Sequence, residues 1–98
     1  MRLVALEYTY HTDIIEVPDS IACRIKKVQN SFDKWLYDRS SRHNCWVTMN
    51  GKKKAVSFDS QDFVDFINTC ILCEHPENAK VVQINLKRTP EDIPVLYF

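Results

Sequence analysis

The sequence predicts an α+β domain, a βαββαβ ferredoxin-like sandwich whose antiparallel sheet carries two helices on one face. Three observations point to it. Two long stretches have apolar residues at helical spacing, and the runs between and around them are rich in strand formers. Asn50-Gly51 sits between two extended runs and supplies the positive-φ pair of a tight hairpin turn. The resulting order is the split βαβ pattern, for which a strand order of 4-1-3-2 is expected.

Taken in order, residues 2–10 (RLVALEYTY) alternate as a strand, with Val4, Leu6, Tyr8 and Tyr10 on one side. Residues 11–17 (HTDIIEV) read as a turn with a short extra extended piece. The stretch 18–20 (PDS) opens a helix, with Asp19 or Ser20 as its cap. Ile21, Ile25, Val28, Phe32, Trp35 and Leu36 then recur at helical spacing, predicting one long helix to about Asp38. Residues 45–58 (CWVTMNGKKKAVSF) form the hairpin. Asp59 or Ser60 caps a second helix with Phe63, Phe66, Ile67, Cys70 and Ile71 on its inner stripe, ended by Pro76. Residues 79–87 (AKVVQINLK) are the last strand. The tail ends on Val95, Leu96, Tyr97 and Phe98, and the main variant of the fold adds it, or a hairpin at 11–17, to the sheet.

At 98 residues, 45% of them hydrophobic, the chain makes one domain over 1–98 with enough apolar surface for a packed core. Thirteen basic residues balance thirteen acidic ones, which argues against a nucleic-acid binder driven by net charge. No apolar run approaches a membrane span or the core of a signal peptide, so a cytoplasmic setting is expected, where cysteines serve as thiols or metal ligands rather than disulfides. Gly51 is the single glycine. A P-loop, a nucleophile elbow and a dinucleotide fingerprint all need more, and no catalytic residue or enzyme activity is assigned.

The architecture resembles RNA-recognition motifs, but their base-stacking positions fall on Lys53 and Ala55 here. It resembles acylphosphatases in element order alone, since residues 10–20 hold neither the glycine nor the arginine of a phosphate cradle.

Residues 70–75 (CILCEH) pose the question of a metal. On a helix Cys70 and Cys73 share a face, and the plain expectation is two thiols buried as small hydrophobes. The sharper one is half of a structural zinc site. His43 and Cys45 are excluded as its other half, because Cys45 lies near the start of the second helix, roughly 15 Å from Cys70 at 1.5 Å per residue. The end of the first strand and the start of the first helix are expected near Cys70 instead. The predicted ligands are therefore Cys23, Cys70, Cys73 and His75, with His11 as the alternate to His75, a closed Cys₃His set.

If both helices cover one face, the other is open, presenting Trp46, Lys53, Ala5, Glu7 and Gln83. An outward tryptophan reads as an interface anchor, Lys52–Lys54 as a solvated strand end, and Tyr37 on the outer side of the first helix as a further contact. In size, in its single glycine and in its lack of catalytic motifs the chain is similar to the compact inhibitors encoded by phages and mobile elements, including anti-CRISPR proteins that block a Cas nuclease. The resemblance implies a small cytosolic protein that blocks a surface of a larger protein partner, and no residue role carries over from it. The alternatives are a ferredoxin-like nucleic-acid-binding or regulatory domain using the open sheet, and an enzyme with a reactive cysteine.

Overall fold

The structure, a computed structural model, describes residues 1–38, 46–49, 52–72 and 77–98, and within 46–56 the backbone alone. Among the described residues six strands and three α-helices follow one another as β1 (Arg2–Glu7), β2 (Thr12–Val17), a single turn α1 (Asp19–Ala22), α2 (Ile25–Tyr37), β3 (Trp46–Met49), β4 (Lys52–Val56), α3 (Ser60–Phe66), β5 (Lys80–Leu86) and β6 (Val95–Tyr97). The α+β class holds. The strand order does not.

The main sheet runs β5-β2-β1-β6, with β1–β2 and β2–β5 antiparallel and β1–β6 parallel. Residues 12–17, expected as a turn with a short extended piece or, in the variant, as an added hairpin, are a full central strand. β1 therefore has β2 on one side and β6 on the other, and the hairpin β3–β4 has no place beside it. The hairpin forms a separate two-stranded sheet. Glycine and asparagine were the wrong signals for β1–β2. Its turn residues Thr9 and Tyr10 keep negative φ, and the turn is closed by the Tyr8 N–H donating to the His11 carbonyl at 2.9 Å. The Tyr8 and His11 rings stack across it, 4.8 Å apart.

One face of the sheet carries the core. Val4 and Leu6 of β1, Ile15 and Val17 of β2 and Leu96 of β6 are buried against Ile25, Val28, Phe32 and Leu36 of α2 and Phe63, Val64 and Phe66 of α3. Phe32 lies at its centre, its ring within 6.4 Å of those of Trp35, Phe58, Phe63, Phe66 and Phe98. The inner stripe read for the first helix is the buried one, although Cys23 and Arg24 break that helix into α1 and α2.

The second face is not open. β5 and β6 are parallel to β1 and stand at opposite edges, so the connection 87–94 must cross the sheet. It does so opposite the helices: the Thr89 and Thr12 hydroxyls bond at 2.9 Å, and the Ala5 N–H donates to the Pro94 carbonyl at 2.9 Å. Ala5 and Ile14, on that face, are buried.

Candidate functional site

Strand alternation places Asp13 with Ile15 and Val17 on the core side of β2, an acid where an apolar residue is expected. It is buried, and its carboxylate must find donors to stay there. Ser60, the first residue of α3, donates its hydroxyl to Oδ2, and the Asn85 backbone N–H donates to Oδ1 at 3.0 Å. Asn85 reaches it from a bulged stretch of β5 with φ 60°, the one described non-glycine residue with positive φ. Since the single Ser60 proton goes to Asp13, the Tyr8 hydroxyl is the donor in its 2.9 Å bond with Ser60 Oγ. Burial, with the Asp13 charge adding to it, pushes the Tyr8 hydroxyl up to about 12.

His11 Nε2 lies 3.5 Å from Asp13 Oδ1, an ion-pair distance when the imidazole is protonated. Serine, histidine and aspartate thus meet, but with the carboxylate as hub. A nucleophile relay needs the imidazole between hydroxyl and carboxylate, and here Ser60 gives its proton directly to Asp13. What the arrangement does chemically is fasten the β1–β2 turn to the start of α3 and to β5. Two surface depressions flank His11: one of about 350 Å³ reaches Asp59, Ser60 and Ile84, the other, of about 470 Å³, reaches Lys87, Arg88 and Glu91. The sequence signal for this cluster was Asp13 itself, an acid on the apolar side of the TDIIEV alternation.

The start of α3 is built locally. Asp59 caps it, accepting from the Asp62 N–H while the Asp62 side chain accepts from the Asp59 N–H, both at 3.0 Å. Burial raises the Asp62 carboxyl, the neighbouring Asp59 and Asp65 charges add to the rise, and its bond to the Asp59 backbone opposes it.

The predicted metal ligands are placed as follows. Cys23 and Cys70 are free and exposed; Cys73 and His75 lie outside the described residues, as do His43 and Cys45. Cys70 was expected on the inner stripe, and the helix geometry overturns that. After Phe66 the chain widens into a π-helical turn, Ile67–Ile71, in which the Leu72 N–H bonds to the Ile67 carbonyl at 2.8 Å. Leu72 takes the buried place below Ile67, and Cys70 turns outward. His11 is corrected as the alternate ligand. The inserted strand β2 carries the β1–β2 turn to the start of α3, one strand length of roughly 20 Å from the sheet end where β2 finishes. Cys23, just beyond β2, and Cys70, two residues past the Asn68 side chain that pairs with the Ala79 backbone, both lie toward that other end. Among the described residues no three His, Cys, Asp or Glu side chains form a group able to hold a metal.

For the predicted contact residues, Tyr37 is 60% exposed at the end of α2. Trp46 and Lys53 lie on β3 and β4, their side chains outside the described set. The open face on which a partner or nucleic acid was expected is the one crossed by 87–94, and Ala5 within it is buried.

The sheet's edges differ. β6 is three residues long, and its Tyr97 carbonyl accepts from the Gln29 side chain at 2.8 Å. β5 is seven residues long and, among the described residues, hydrogen-bonds to β2 alone. On it Val82 is 40% and Ile84 62% exposed. Among the described residues no helix is long and apolar enough to cross a membrane. Comparison with family models, curated proteins and solved structures gave no match.

Proposed function

We propose that the protein is a small binding protein that acts by occupying a surface of a larger protein, in the way compact inhibitors such as anti-CRISPR proteins block a Cas nuclease. The observation that supports it is the β5 edge, seven residues of strand with one side unpaired among the described residues and with Val82 and Ile84 in solvent. Such an edge is a template on which another chain adds a strand. Tyr37, Trp46 and Lys53 are proposed as additional contacts. The test is affinity capture from a host lysate by the wild-type chain and by Ile84→Lys, a change at an exposed position. A protein retained by the first in moderate salt and lost by the second supports the reading; the same proteins on both sink it.

A structural zinc held by Cys23, Cys70, Cys73 and His75 is proposed alongside it. Its support is the C-x-x-C spacing and the exposure of Cys23 and Cys70 toward one end of the sheet. Metal analysis on chain purified without chelator is its test. One zinc per chain, lost in Cys70→Ser, supports the clamp, and metal-free protein removes it.

A further inference from the structure

The β5 edge is cationic as well as apolar. From Ala79 to Pro90 the chain holds Lys80, Lys87 and Arg88 and no acid. All three are exposed; of the acids on β2, Asp13 is buried against the Asn85 N–H at 3.0 Å, and Glu16, in register with Lys80, is engaged by it at 3.4 Å. Lys80 and Lys87 flank the strand, whose bulged span from Lys80 to Leu86 lies opposite only Glu16 to Thr12 of β2, roughly 13 Å of extended chain, with Val82 and Ile84 between them.

We propose that the occupant of this edge is an extended segment of a different protein, a short strand of alternating apolar residues with a carboxylate near each end. This rests on the protein-binding reading and names the surface and the partner's chemistry. A second copy is the competing occupant. Antiparallel self-pairing about Gln83 sets Val82 opposite Ile84 and Lys80 opposite Leu86 of the partner copy, and so gathers Lys80 of one copy with Lys87 and Arg88 of the other at each end, where like charges repel. Two register shifts along β5 add local twist. A flexible peptide can follow that twist residue by residue. An acid at each end meets a cation whichever way the strand runs.

The experiment is a titration of the full chain with two seven-residue peptides of alternating valine and threonine, one ended by glutamates and one by lysines. It is read by backbone amide shifts and by hydrogen exchange in 80–86. The glutamate peptide is expected to bind at least tenfold more tightly, to protect the β5 amides, and to lose that advantage in Lys87→Glu/Arg88→Glu, which should prefer the lysine peptide. Equal binding of both peptides, no β5 protection, or a dimer of the chain that Ile84→Lys dissolves would each overturn the inference. In the first two cases, lysate capture that still depends on Ile84 leaves the broader reading standing. Capture indifferent to Ile84 ends both.

Discussion

Asp13 shows what a single residue does in this molecule. A buried carboxylate held by a serine hydroxyl, a backbone N–H and a nearby imidazole joins three segments distant in sequence. Ser60→Ala removes one donor from that carboxylate and the acceptor of the Tyr8 hydroxyl. The expected cost is about 1–3 kcal/mol, the usual penalty for stranding buried polar groups, and urea unfolding measures it; an unchanged midpoint would show that water replaces the serine. Tyr8 gives a prediction in pH. Its hydroxyl lies above its ordinary value of 10.0, at about 12, so the native state resists ionisation more than the unfolded chain does. The contribution to stability is complete below about pH 10 and falls away as pH rises toward 12. Tyrosinate absorbance should show a late component that Tyr8→Phe removes, and the alkaline loss of stability should shrink with it.

At the level of elements, helices were the most legible part of the sequence. The 3.6-residue recurrence from Ile21 to Leu36 names the buried side of α1 and α2, and of the two cap candidates, Asp59 and Ser60, it is Asp59 that accepts from the Asp62 N–H. Reading failed where local geometry departs from the regular period. Nothing in Ile67–Ile71 announces a π turn, since its extra residue per turn is a tertiary solution that brings Leu72 rather than Ile71 fully under Ile67. Cys70 was misplaced for that reason alone. The widened turn predicts a contrast between neighbours. In metal-free protein, Cys70→Ser should change stability by less than about 0.5 kcal/mol, as exposed positions do. Ile67→Ala, which opens the core, should cost about 2–5 kcal/mol. Equal costs in denaturant unfolding would mean that the helix continues in α geometry with Cys70 inside.

Across the whole molecule, topology was the least legible level, because it turns on which strands stand beside β1. The Asn50-Gly51 hairpin gave the strongest local signal and sits outside the main sheet. The β1–β2 hairpin, turning through Thr9 and Tyr10, gave a weak one and builds the centre. The tail settles the other side of β1. Its ValLeuTyr run alternates in burial as a half-buried strand must, Leu96 inward and Tyr97 71% exposed, and the Phe98 N–H donates to the Glu7 carbonyl at 2.9 Å. Phe98 then enters the aromatic cluster around Phe32 and stacks on Tyr8 at 5.5 Å. Three residues of strand therefore close the sheet and the core together. Leu96→Ala should lower global stability by about 2–5 kcal/mol, a large share of the 5–15 kcal/mol typical of a domain, and should shift one cooperative transition rather than split it. Tyr97→Ala should stay within about 0.5 kcal/mol. The opposite ranking would place the tail one residue out of register, with Tyr97 against the helices and Leu96 in solvent.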